Sequence, residues 1–334
     1  MAAYTTIDNP ELYFQTKIYS GDGNDDRDIV FDVTDTTMQP NMLWSARRDS
    51  GDNKSIYDSV RGDGKELRTA EGGAEYDRTN NIQALNSNGF QVGDDGQVNA
   101  SGGTYVSWAW KESADAGFDM VGYTGNETNR TISHSLSAVP HVMIIKNRES
   151  SFNWVTYHHR NTSAPETDYL YLSTNAATDD FAGHFNDTAP TSSVFTVGTD
   201  TGVNKNSQNH INYLWSEKQG FSKFGSYEGN GNNDGPFCFT GFRPAWVMCK
   251  GTASNREWVM HDNKRDAENV VDGTLYANTT DAEGTGTARM DFLSNGFKLR
   301  EDGNNWNASG ETYIYMAFAE APFVNSNGVP GNAR

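Results

Sequence analysis

The stretches Thr104-Tyr-Val-Ser-Trp-Ala-Trp110, Asn209-His-Ile-Asn-Tyr-Leu-Trp215 and Thr312-Tyr-Ile-Tyr-Met-Ala-Phe318 decide the fold. Side chains of an extended strand alternate between two faces. One face of each stretch is apolar: Val106, Trp108 and Trp110, then Ile211, Tyr213 and Trp215, then Ile314, Met316 and Phe318. The opposite face is mixed: Tyr105 and Ser107, then His210 and Asn212, then Tyr313 and Tyr315. This pattern predicts a strand with one side on a core and the other side partly wet. The rings of the apolar face read as core packing. A sugar-stacking platform would have to use the outer face, which makes Tyr105, Tyr313 and Tyr315 the candidate binding residues.

Each stretch closes a unit that carries three earlier markers in the same order. Tyr19-Ser-Gly21-Asp22, Tyr123-Thr-Gly125-Asn126 and Tyr227-Glu-Gly229-Asn230 recur at a spacing of 104 residues. A proline then leads into an apolar run: Pro40-Asn-Met-Leu-Trp44, Pro140-His-Val-Met-Ile144 and Pro244-Ala-Trp-Val-Met248. A turn and strand follow, at Asn88-Gly89-Phe90, Ser193-Val194-Phe195 and Asn295-Gly296-Phe297. Glu112, Glu217 and Glu320 end the units. Self-similarity at a fixed period is the signature of a repeat architecture.

The apolar runs are short and separated by Gly and Asn turns, and no long stripe of helical period appears. The expectation is an all-β chain of three tandem β-sandwich or jelly-roll-like repeats of about 104 residues. The units are placed at 17–115, 116–219 and 220–324, after an N-terminal arm at 1–16 and before a flexible tail at 325–334. The arm carries Leu12, Tyr13 and Phe14, which call for burial on another subunit or on the first unit. The loops between strands are long and polar, and loops on a rigid β scaffold are where specificity resides.

Aromatic residues are 12% of the 334-residue chain, too many for a disordered polymer. The formal net charge of −18 repels phosphate backbones and anionic membranes, and no basic run offsets it, so nucleic acid is excluded as a partner. No apolar run is long enough to insert in a membrane as a helix. Met1 to Pro10 lacks the basic-then-apolar pattern of a secretory leader. Cys238 and Cys249 occur in one unit only, so a disulfide is no part of the shared architecture. The two read as packed free thiols, with a local cross-strand bridge as the alternative.

Reactive constellations are missing from the sequence. There is no Gly-x-Ser-x-Gly elbow, no Walker sequence and no His-Glu-x-x-His. His158 and His159 are neighbours on a strand, face opposite ways and so do not suit one metal. Asp22 to Asp28 is an acidic loop, but Arg27 stands where an EF-hand needs Gly and Val33 where it needs Glu. The expectation is no cofactor, with calcium of another coordination type left open in that loop. The units agree on no carboxylate pair beyond the turn acids and the terminal Glu, and the chain reads as a non-enzyme.

At these markers the chain resembles repeat-containing virion structural proteins of marine bacteriophages, of the cyanophage and pelagiphage kind. The likeness is strongest in Thr6-Ile-Asp-Asn-Pro10, Phe14-Gln-Thr-Lys-Ile-Tyr19-Ser-Gly21, Met38-Gln-Pro40-Asn-Met-Leu-Trp44, Asp58-Ser-Val-Arg-Gly62 and Tyr105-Val-Ser-Trp-Ala-Trp-Lys111. The second and third units match more loosely and lack the Val-Arg-Gly element. The resemblance implies a virion component assembled in the host cytoplasm, in the tail or fibre apparatus, with loops that meet the host surface. It implies other virion proteins and further copies of the chain as partners, a trimer by analogy with fibres, and a host glycan or protein as receptor. A capsid decoration or head-fibre protein and a lectin-like carbohydrate-binding module are the alternatives.

Overall fold

The computed structural model describes residues 3–33 and 36–331. The fold is all-β, with antiparallel pairing throughout the named strands. The first large sheet runs in the order Phe14–Ser20, Thr104–Trp110, Met42–Arg47, Ser55–Asp58, Lys65–Arg68 and Tyr76–Asp77. The second has the order Phe118–Thr124, Asn209–Trp215, Val142–Asn147, Val155–His158, Asp168–Tyr171 and Asp179–Asp180. The third follows with Ser222–Glu228, Thr312–Pro322, Phe242–Gly251, Val259–Asp262 and Leu275–Tyr276. A small sheet accompanies each: Arg27–Val30, Gly89–Val92 and Ile82–Asn86; Arg130–Ser133 and Val194–Val197; Phe237–Phe239, Gly296–Leu299 and Met290–Leu293.

The three large sheets share one register. Trp110 faces Phe14 on one neighbour and Met42 on the other, Trp215 faces Phe118 and Val142, and Phe318 faces Ser222 and Trp246. Each closing strand therefore lies between the opening strand and the proline-led strand of its own unit. Its apolar face turns to the middle of the molecule. There the Trp110 ring lies 6.5 Å from Trp215, 5.5 Å from Phe318 and 5.6 Å from Trp246. Corresponding residues of three units thus meet in one buried cluster.

The opposite face departs from expectation. It is covered by the small sheet rather than by water. Ala109 packs with Leu43, Tyr57 and Phe90, and Leu214 with Met143, Tyr157 and Phe195. Polar side chains of this face pair within the buried layer: the hydroxyls of Ser45 and Ser107 lie 2.8 Å apart, and Asn147 Nδ2 lies 3.2 Å from His210 Nε2. A strand buried on both sides can still look amphipathic when the second layer satisfies its polar groups.

The Tyr-x-Gly-Asp/Asn markers end the opening strands, and each part has a physical task. A Cβ on Gly21, Gly125 or Gly229 would stand 2.1, 2.2 and 2.2 Å from the main-chain oxygen of Ala100, Lys205 and Ala308. Only glycine permits that approach. A buried asparagine grips the following turn from the other side. Asn99, Asn204 and Asn307 accept the N–H of Asp22, Asn126 and Asn230 at 3.0, 2.9 and 2.8 Å. Their amides donate to carbonyls on both flanks: Asn204 Nδ2 reaches Thr128 O at 2.8 Å and Gly198 O at 2.7 Å.

Polar contacts between units run in a cycle. Tyr213 of the second unit donates to Asp58 of the first, and Trp108 of the first donates to Asp262 of the third. His158 of the second bonds Tyr315 O of the third at 3.1 Å. Asp58 and Asp262 are buried and pair with Arg61 and Arg265, which also face Glu75 and Glu283. The Asp-x-x-Arg part of the first unit's Asp58–Gly62 element therefore recurs in the third unit, although Val-Arg-Gly does not. Arg148 and Arg48 then reach Glu75 and Glu283 from the next unit.

The N-terminal segment corrects a second expectation. Phe14–Ser20 is a strand of the first sheet, so the boundary placed after residue 16 falls inside it. Described residues before it lie on the third unit of the same chain and on Gln219, the residue that precedes that unit. Tyr4 Oη donates to Gly241 O at 2.9 Å, Tyr13 meets Phe221 edge-on at 6.1 Å, and Thr5 Oγ1 donates to Gln219 O at 2.8 Å. The tail is likewise tied over its described part. Asn325 N donates to Val329 O at 2.9 Å, and Ser326 N donates to Asp8 Oδ1 at 2.7 Å. Residues 332–334 lie outside the described residues.

Candidate functional site

Tyr105, Tyr313 and Tyr315 are 1%, 0% and 5% exposed, so their rings do not form a surface platform. Tyr105 stacks on Tyr19 and Tyr313 on Tyr227, both pairs at 5.1 Å. Their hydroxyls serve the short turn that follows the third marker. Tyr105 Oη donates to Gly96 O at 2.7 Å and accepts from Ala100 N at 2.8 Å. Tyr313 does the same with Asn304 O and Ala308 N. Tyr315 packs against Phe297. The structure brings these residues into sandwich interiors, not together.

The acidic loop and the paired histidines are also accounted for locally. Asp22 accepts from Asn24 N and faces Arg27, while Gln83 and Asn86 bind Asp25 and Asp28. Among the described residues no three His, Cys, Asp or Glu side chains converge as a metal site. His158 and His159 bond Tyr315 O and Phe224 O of the third unit. Burial holds their pKa values down at about 3 and about 4, so both rings are neutral. Cys238 and Cys249 are separate buried thiols, each pushed up by burial.

One feature with binding geometry is an open cleft of about 440 Å³ in the second unit, against the edge of the first. Phe152, Asn153, Tyr171, His184, Asp200 and Gly202 line it, with the backbone at Gly72 and Gly73 forming one wall. Asp200 is the N-cap of the short helix Thr201–Asn204 and accepts the Gly202 N–H at 2.7 Å. Its second neighbour is His184 Nδ1, 3.4 Å from Oδ1. Burial acts to raise the Asp200 pKa, but the adjacent His184 ring and the helix N–H groups outweigh it and hold the carboxyl ionised. The His184 ring is buried edge-on against Tyr169 at 4.4 Å and Phe181 at 5.0 Å. Neither ring nitrogen makes a hydrogen bond within the protein.

Register shows why the cleft exists in this unit. Asn99, Asn204 and Asn307 each donate their N–H to the residue four before, at Asp95, Asp200 and Gly303. Gln97, Gly202 and Asn305 therefore correspond. Gln97 fills the space in the first unit, where its amide donates to Ser55 Oγ at 2.7 Å and to Glu66. Asn305 accepts the Glu257 N–H at 2.9 Å in the third. Gly202 has no side chain to place there, and the volume stays open. Sequence reading did not find this site; the signal was one glycine against two amides when the units are aligned. Beneath the Gly72 wall, burial pulls the Lys146 pKa down to about 7, and its Nζ donates to Gly72 O at 3.1 Å.

A family model described as a domain of unknown function, DUF7483, matches residues 9–322. The match starts at the N-cap of the Pro10–Leu12 turn and ends with the last strand of the third sheet, so it takes in all three units. No curated protein matches the chain.

Proposed function

We propose that this chain, which belongs to the DUF7483 family over residues 9–322, is a virion structural protein of a bacteriophage. It serves the tail or fibre apparatus as a rigid body that presents loops to a host surface. The single observation that carries this reading is where the repeated polar residues go. Buried asparagines, Asp–Arg pairs and tyrosine hydroxyls recur between units, and each fixes a turn or joins one unit to the next. A set of groups repeated for rigidity is what a load-carrying scaffold needs. Rigid scaffolds with variable loops are suited to recognition. The charge of −18 suits a component present in many copies, since like-charged bodies do not associate without a specific contact. The phage resemblance at the sequence markers supplies the kind of particle.

The reading is tested by electron microscopy of purified phage particles treated with gold-labelled antibody against this chain. Label at the tail or its fibres is expected. Particles that carry no label, while the chain stays in the soluble fraction, would contradict the proposal.

A further inference from the structure

We infer that the cleft of the second unit is a binding site for a neutral pyranoside, the non-charged sugar residue of a glycan. The inference rests on the recognition half of the function proposed above and gives it an address. Three observations lead to it. The first is differentiation: three corresponding positions hold Gln97, Gly202 and Asn305, and only the glycine leaves a cleft of about 440 Å³, within the range of small-ligand sites. The second is an unspent polar group. His184 is 2% exposed, lines the cleft, and neither of its ring nitrogens makes a hydrogen bond within the protein. Buried polar atoms are normally satisfied, so a ligand hydroxyl in the cleft would complete the bonding of this ring.

The third observation is the chemistry of the walls, which chooses the ligand. Phe152 and Tyr171 offer half-buried rings to an apolar surface. Asp200 offers a carboxylate acceptor beside the His184 ring. Asn153 uses its oxygen to accept from Ser173 Oγ at 3.1 Å, which leaves its amide N–H groups to donate. Rings beside a mixed set of donors and acceptors fit a molecule with an apolar face and a rim of hydroxyls. Charge argues against the alternatives. An anionic sugar would meet the Asp200 carboxylate. An organic cation would meet Lys205, whose Nζ lies 5.6 Å from the Phe152 ring centre, and Lys146 behind the Gly72 wall. A neutral polyol meets neither penalty.

Gly202→Gln is the decisive variant, because it copies the first unit. Gly202 has an ordinary φ, and Asp95 caps the Gln97 N–H at 2.8 Å much as Asp200 caps Gly202. The new Cβ would stand 2.8 Å from Asp200 Oδ1, a side-chain atom able to shift. Saturation-transfer NMR on the full chain would use methyl β-D-glucopyranoside, methyl β-D-galactopyranoside and methyl α-D-mannopyranoside as probes, with glucuronate and tetramethylammonium as charged controls. At least one neutral glycoside is expected to bind saturably. Its affinity should fall at least tenfold in Gly202→Gln and in Tyr171→Ala, with the charged controls silent. Tyr171 lies at the half-exposed wall, so its variant serves if Gly202→Gln fails to fold. Absence of binding by all three glycosides, binding unchanged in both variants, or preference for either charged control would overturn the inference. The two proposals fail separately: particle labelling reads the location and is indifferent to sugar, while glycoside binding is read on the isolated chain.

Discussion

Tyr213 donates its hydroxyl to Asp58 Oδ2 at 2.6 Å across the boundary between the second and first units. Trp108 makes the corresponding contact to Asp262 between the first and third, at 3.0 Å. Both carboxylates are wholly buried and already hold an arginine three residues on. A charged group so placed is costly unless every partner is present. Removing the arginine's partner by Asp58→Ala is expected to cost about 3–5 kcal/mol. Tyr213→Phe, which removes one hydrogen bond to a charged acceptor, is expected to cost about 1.5–3 kcal/mol. Urea denaturation of the full chain measures both, and equal small effects would contradict the account.

The buried asparagines make a parallel prediction within units. Asn204→Ala strips the Asn126 N–H of its acceptor and two carbonyls of their donor. The expected loss is at least about 2 kcal/mol, from groups left unsatisfied out of water. Asn206→Ala, two residues away on an exposed side chain, should change stability by less than about 0.5 kcal/mol. Denaturation midpoints of the pair give the comparison.

Ring closure by the N-terminal segment is testable through Phe14. Its ring lies 4.9 Å from Trp110 and 5.2 Å from Phe318, so it touches the first and third units at once. Phe14→Ala should cost about 3–5 kcal/mol. Light scattering on a chain lacking residues 1–12 should show the same oligomeric state as the full chain, since the described residues of this segment dock within their own molecule. A change of state would point to a docking partner elsewhere.

Stability should rise with pH on the alkaline side of neutrality. Burial lowers Lys146 to about 7, and Lys54 and Lys250 to about 8, against about 10.5 when unfolded. Between those values the unfolded chain binds more protons, so unfolding becomes harder as pH rises, by about 1.4 kcal/mol per pH unit for each lysine fully neutral in the fold. Below the folded pKa the lysines are charged in both states and the gain is gone. On the acid side His158 and His261, lowered to about 3, give stability that is complete above about 6.5 and lost as pH falls towards the folded value. Glu112, raised by burial to about 7, acts in the opposite sense between about 4.5 and 7, where the folded chain keeps its proton. Thermal melts from pH 7 to 9.5 should show an upward slope that shrinks in Lys146→Met.

The strand class was legible because aromatic and β-branched residues alternate cleanly in the closing stretches. Tyr105 and Tyr313 were misplaced for a definite reason. A polar-looking face normally meets water, but here a small sheet covers it and the short turns accept the hydroxyls. Strand pattern records which residues share a face and not what lies over that face. Phe14 pointed correctly to burial; its site on Phe318, far along the chain, follows only from the closed arrangement of the units. The cleft was hidden because a missing side chain defines it. Gly202 reads as an ordinary turn residue until Gln97 and Asn305 are set beside it.

The three units share one buried centre, where Trp110 meets both Trp215 and Phe318. Differential scanning calorimetry of the full chain tests this most directly. One transition, with calorimetric and van't Hoff enthalpies equal, is the result expected of a single cooperative body. Two or three separable transitions, each with an enthalpy of about 70 kcal/mol as an independent unit of about 100 residues would show, would contradict it.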